Sequence, residues 1–188
     1  MTHPGRALSV IVCGAGPASQ VGILVKLAQQ RGWTVQLIAT PAALGFLDIP
    51  ALEALTGAPV RHSYRSPGEP RSQHADAVIV APATYNTICK CALGISDTYA
   101  LGLLAEAVSL PIPVVVLPFV NSALASRRPF RCAVSQLRDE GVRIVLGPGE
   151  FEPHPPGTGG ERLDTFPWQI ALDETERLAS GTEPVPRS

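Results

Sequence analysis

Apolar and polar positions along this chain follow two rhythms. Short, nearly unbroken apolar runs recur at Leu8–Cys13, Thr34–Ala39, Ala77–Ala81, Val114–Leu117 and Val142–Leu146. Runs of this kind form strands buried on both faces of a parallel sheet. Between them the apolar positions fall at helical spacing. Val21, Leu24, Val25 and Ala28 share one face of a helix predicted over Val21–Arg31, and Phe130, Ala133, Val134 and Leu137 share one face over Pro129–Glu140. Gly32 and Gly141 stand where a helix is closed. Thr40-Pro41 opens a short helix through Leu47, Pro50–Leu55 reads as a further helical turn, Val60–Tyr64 as extended chain, and Phe166–Leu178 as the last helix. Strands alternating with helices predict an α/β protein, a three-layer αβα fold with a Rossmann- or flavodoxin-like parallel sheet and helices on both faces.

The stretch from Ala75 to Asp97 carries the most local information. The strand Ala77–Ala81 meets Pro82, which has no N–H to donate and is expected to end the ladder there. Thr84, Asn86 and Thr87 follow, each able to cap a helix or turn a polar atom toward a ligand. From Ile88 the spacing of Ile88, Cys91, Ala92 and Ile95 predicts one apolar helix face, continuing as helix through Tyr99–Val108. In an open α/β sheet such strand-to-helix loops lie at the carboxyl edge, where ligands bind. Ser19, Thr40, the Thr84–Thr87 loop and Asn121 all follow a strand, and so share one rim. Gly14-Ala15-Gly16 after the first strand suits an anion at a helix start. As a dinucleotide fingerprint it is incomplete, because position 19 is Ser19. Together these loops predict a pocket for a phosphorylated planar cofactor.

Composition narrows the class. Of 188 residues, 45% are hydrophobic and 16% charged, with a formal net charge of -1. That balance suits a packed core and argues against a nucleic-acid partner, which would call for a basic surface. The chain starts without a signal-like apolar segment, and its densest apolar run, Ile112–Val120, is interrupted by two prolines and too short for a bilayer. A cytoplasmic protein without membrane attachment is expected. The four cysteines, at 13, 89, 91 and 132, have no zinc-ligand spacing and read as core thiols, so no metal is expected. One domain over residues 1–180 is predicted, with a Gly/Pro-rich flexible flap at 147–165 rather than packed core, and a disordered tail at 181–188.

Two segments carry a family resemblance. Ala81-Pro82-Ala83-Thr84-Tyr85-Asn86-Thr87-Ile88, continuing to Gly94-Ile95-Ser96-Asp97, resembles the PATANTI…NGIADN signature of the FMN-dependent cysteine decarboxylases. That family includes phosphopantothenoylcysteine and lantibiotic-peptide decarboxylases. Pro118-Phe119-Val120-Asn121-Ser122-Ala123-Leu124-Ala125 is similar to its PxMNxxMW loop, reduced to the Pro and the Asn. The resemblance spans about residues 8 to 150. It implies a homo-oligomer, a trimer or a multiple of it, holding FMN between subunits. Gly14, Ser19 and Thr40 would then surround the FMN phosphate region. Ala83, Thr84, Asn86 and Thr87 would lie along the flavin and ribityl chain, and Asn121 would face the substrate as the catalytic residue beneath the flap. The substrate implied is a small thiol acid or a peptidyl cysteine, and the activity a decarboxylase-like lyase.

The departures keep other readings open. The histidine that such enzymes carry upstream of the first motif falls at Gly68 here. His62 and His74 are out of register and read as surface residues, while His154 sits in the flap. The second motif has lost its Met and Trp residues, and the flap lacks the Cys of the phosphopantothenoylcysteine enzymes, Gly157–Leu163 keeping only an echo of it. A non-decarboxylating FMN-binding redox or sensing protein is one alternative. A flavin prenyltransferase-like enzyme, using Arg127, Arg128 and Arg131 for a prenyl phosphate, is another.

Overall fold

The computed structural model describes residues 5–64 and 74–181. Five strands form one parallel sheet: β1 (Arg6–Val12), β2 (Trp33–Ala39), β3 (Ala77–Ala83), β4 (Val114–Pro118) and β5 (Arg143–Ile144). Their order is β2-β1-β3-β4-β5. The chain steps outward from β1 to β2 and then crosses back to β3, so the order reverses beside β1. This is the flavodoxin-like arrangement, whose ligand crevice opens at that reversal.

Alternation along each strand sorts side chains between two cores. Leu8, Val10 and Val12 of β1, Ile79 of β3 and Val115 of β4 face one side, while Ile11, Val78, Val80, Val114 and Val116 face the other. The first side is covered by α1 (Gly22–Gln30) and α7 (Trp168–Gly181), the second by α3 (Tyr85–Ala92), α4 (Tyr99–Val108) and α6 (Arg128–Asp139). The two remaining helices are α2 (Ile49–Thr56) and the four-residue α5 (Ser122–Ala125). The predicted inward face of α6 is found intact, with Phe130, Ala133, Val134 and Leu137 all buried.

Several boundaries differ from expectation. Pro82 does not end the ladder: β3 runs on to Ala83, which pairs with Pro118 past a register shift. The Ala81–Pro82 peptide is cis, and the Pro82 carbonyl accepts from the Cys13 N–H at 3.1 Å. Proline lacks a donor but keeps its acceptor, and that acceptor is what the neighbouring strand uses. The helix expected from Ile88 starts earlier, at Tyr85, and stops at Ala92. A turn then separates it from α4, which has its own Thr98 cap, and Ile95 lies in that turn, exposed. The fifth strand shrinks to Arg143–Ile144, and Phe166 precedes α7 rather than opening it. Gly68 and residues 182–188 of the expected tail lie outside the described residues.

The glycine- and proline-rich segment after β5 is where the sequence reading changes most. Residues 147–166 cross the carboxyl rim rather than lying apart from the core. Phe151 and Phe166 are buried, His154 pairs with Asn121 through an isolated parallel bridge, and Asp164 reaches Gln20 at 3.3 Å. An ion-pair group fixes both ends of this crossing. Arg143 bonds Glu150 and Glu174, and Arg177 also bonds Glu174. These contacts, with Arg177 foremost, hold the Glu174 carboxyl below the usual carboxylate range.

Candidate functional site

The candidate residues meet at the carboxyl rim because main-chain bonds stitch the strand ends together. The Thr40 N–H donates to Val12, Cys13 to Pro82, and Phe119 to Ala83. Gly14 is required where it stands: a Cβ there would lie 2.6 Å from the Ala42 carbonyl oxygen. The turn after β1 therefore packs directly against the turn after β2, which brings the Gly14–Ser19 and Thr40 segments side by side. Ser19 is exposed on a short 3₁₀ helix, Gly16–Gln20. Thr40 is nearly buried at the start of another, Pro41–Phe46.

Within the first motif the polar residues divide their work. Thr84 caps α3, its Oγ1 accepting from the Thr87 N–H at 3.3 Å. Thr87 is buried, and its hydroxyl lies 3.0 Å from that of Thr84 and accepts from the Cys13 thiol at 3.3 Å. This pair ties the end of β1 to the start of α3. Burial pushes the Cys13 thiol pKa up, leaving it a neutral packing group. Ala83 is fully buried beneath the loop. Asn86, in the first turn of α3, is exposed. The sequence allowed Asn86 to be the cap; the structure gives that task to Thr84 and leaves Asn86 exposed in the first turn.

At the β4 end, Asn121 caps α5, its Oδ1 accepting from the Leu124 N–H at 2.9 Å. The Ser122 N–H donates to the His154 carbonyl at 2.8 Å. The His154 ring lies against Phe119, with centroids 4.7 Å apart, and is 7% exposed. Gly159 permits this closure, since a Cβ there would come within 3.0 Å of His154 Nε2. Burial first, and then the Arg162 charge, hold the His154 pKa below its ordinary value. Leu163 stands over the first turn, 2.7 Å from where a Gly16 Cβ would be. His62 and His74 are exposed. Sequence reasoning quoted Phe119 only as part of the Pro118–Ala125 motif and missed Arg162 and Leu163 as rim residues, whose only local signal was the glycine-rich echo at Gly157–Leu163.

The donor set fits the expected phosphorylated planar group. Hydroxyls, amides and small residues line the strand ends, the acidic Asp164 of the crossing segment is engaged by Gln20, and His154 Nδ1 is buried with no hydrogen-bond partner among the described residues. Two cavities elsewhere, of ≈ 270 Å³ and ≈ 490 Å³, are lined by none of these residues. Among the described residues no His/Cys/Asp/Glu group suited to a metal occurs, and no helix is long and apolar enough to cross a membrane.

Known proteins share this family and fold. The chain matches the Flavoprotein family over residues 2–159. It is 31% identical over 155 residues to the coenzyme A biosynthesis bifunctional protein CoaBC of Escherichia coli, covering 79% of this chain but 37% of that protein. The chain thus spans well under half the length of that relative. Its fold matches the FMN-dependent cysteine decarboxylase TvaF from thioviridamide biosynthesis, with TM-score 0.73, 20% identity, and coverage of 93% of this chain and 98% of that one. It also matches a PPC decarboxylase mutant complexed with pantothenoylaminoethenethiol, with TM-score 0.66, 18% identity, and coverage of 86% and 96%. The family match and the sheet order converge: this chain belongs to the flavoprotein family.

Proposed function

We propose that this chain binds FMN along the carboxyl rim and acts there on a cysteine-like thiol acid or a peptidyl cysteine. The observation that carries the reading is the first turn of α3, where Thr84 takes the capping role and leaves Asn86 exposed at the sheet's reversal point. Ser19 and Thr40, drawn together by the Gly14 contact, would hold the phosphate end. Thr84 and Asn86 would hold the ribityl and ring portions, while Ala83, expected from the sequence to contact the flavin, is fully buried and with Gly14 and Thr87 would keep the loops in place. Bound flavin would supply two-electron oxidation of the carbon bearing sulfur, easing later loss of CO2. Asn121 would orient the substrate from the β4 end, and residues 147–166 would exclude water above it.

Asn86→Ala should weaken FMN binding about 5- to 150-fold, the equivalent of about 1–3 kcal/mol for a broken polar contact. The flavin-free protein should melt unchanged, because Thr84 is the cap. Titration of added FMN by fluorescence quenching, beside thermal unfolding without FMN, reads both. Equal melting losses with and without FMN would show Asn86 to be structural only.

A second reading has its own observation. Gly68 offers no side chain where such enzymes carry a histidine, which favours a flavin-binding protein that does not decarboxylate. Release of CO2 from a peptide ending in cysteine would decide against that reading.

We also propose a homo-oligomer with FMN near a subunit contact. Ala92 and Leu104 are buried within the chain itself, while Leu93 and Ile95 of the turn between α3 and α4 are exposed at 73% and 41%. Light scattering of the FMN-loaded protein should give a multiple of the 19.8 kDa chain; a monomer at micromolar concentration would reject it.

A further inference from the structure

The segment crossing the rim places two polar groups in unusual company. His154 Nδ1 and Arg162 Nε are both buried, and neither has a hydrogen-bond partner among the described residues. Their surroundings are aromatic. The His154 ring lies on Phe119, and the Arg162 guanidinium sits 5.1 Å over the Phe151 ring. Phe119 and Phe151 are themselves stacked, 6.3 Å apart. The His154 main chain is bridged to Asn121, so the pair belongs to the β4 end of the rim. A buried guanidinium Nε–H and a buried imidazole nitrogen left unpaired against apolar walls are costly unless a ligand completes them.

We propose that Arg162 and His154 form an oxyanion subsite that takes the carboxylate of the ligand bound at this rim. The assignment rests on the proposed thiol-acid reading for the ligand's identity, while the anion preference rests on the two side chains alone. Arg162 supplies the fixed charge. His154, neutral without ligand because of its burial and the Arg162 charge, gains a reason to be protonated once an anion lies between them. Arg162 is the charged group acting on the His154 ring. Anion binding therefore raises the His154 pKa, and affinity for the anion grows as pH falls through that raised value.

The experiment follows the His154 ring by NMR in full-length protein as pH is varied. The signal is identified by its loss in His154→Gln. N-acetylcysteine and N-acetylcysteinamide are added separately, with and without FMN. The acid is expected to raise the His154 pKa and to bind about tenfold or more tighter than the amide, a charge-assisted preference. Arg162→Gln should raise the His154 pKa without ligand and abolish the acid-over-amide preference. Equal responses to acid and amide, or to neither, overturn the subsite. A stronger response to inorganic phosphate than to N-acetylcysteine overturns the carboxylate assignment. If His154→Gln fails to fold, the Arg162→Gln comparison on the wild-type histidine still decides. FMN quenching in the same samples reports on the flavin reading independently, so failure of one is distinguishable from failure of the other.

Discussion

Trp168→Ala is expected to destabilise the protein by about 3–5 kcal/mol, the usual cost of emptying a large aromatic site in a core. Trp168 is 4% exposed and packs edge-on to Phe166, with centroids 4.7 Å apart. Phe166 in turn meets Phe151 at 5.3 Å and Phe119 at 5.8 Å. This aromatic chain fastens the rim-crossing segment to the sheet, so the damage should concentrate there. Chemical unfolding reads the total loss. Hydrogen exchange at the Ser122 N–H, which donates to the His154 carbonyl, reads the local one. Trp168→Phe should cost much less: it keeps a ring against Phe166 and deletes an Nε1 donor that is buried with no partner among the described residues. Equal losses for the two variants would show that aromatic packing is not what holds the segment.

Phe130→Ala should cost a similar amount, about 3–5 kcal/mol, with a different local signature. Phe130 is 1% exposed in the opposite core and stacks on Tyr85, with ring centroids 5.6 Å apart and planes inclined by 13°. Tyr85 is the first residue of α3, so the cavity opens beneath the turn that carries Thr84 and Asn86. Affinity for FMN should fall along with stability, whereas Ser122 exchange should stay slow under conditions where the protein remains folded. Denaturant unfolding and FMN titration of the same preparation check this. An unchanged FMN affinity in the folded variant would separate α3 from the flavin site. Because the two residues lie on opposite faces of the sheet, their stability losses should add closely in the double variant.

The division between local and nonlocal information is visible in particular residues. The apolar runs at Leu8–Cys13 and Val114–Leu117 and the inward face of α6 were legible in the sequence, and the structure holds them nearly where the pattern put them. Burial on both faces of a parallel sheet, or on one face of a helix, imposes a period that a short window of sequence carries whole. The rim position of Ser19, Thr40, Thr84 and Asn121 was also legible, because each simply follows a strand. What tertiary structure decided depends on partners far along the chain. Pro82 stays in the ladder because Cys13 needs its carbonyl. Thr87 turns inward because Cys13 lies beside it, and the capping bond falls to Thr84. Residues 147–166 read as unpacked chain because glycine and proline break every local period. Their docking comes from contacts with Phe119, Gly16 and Gln20, which exist only once the sheet has brought those strand ends to one edge.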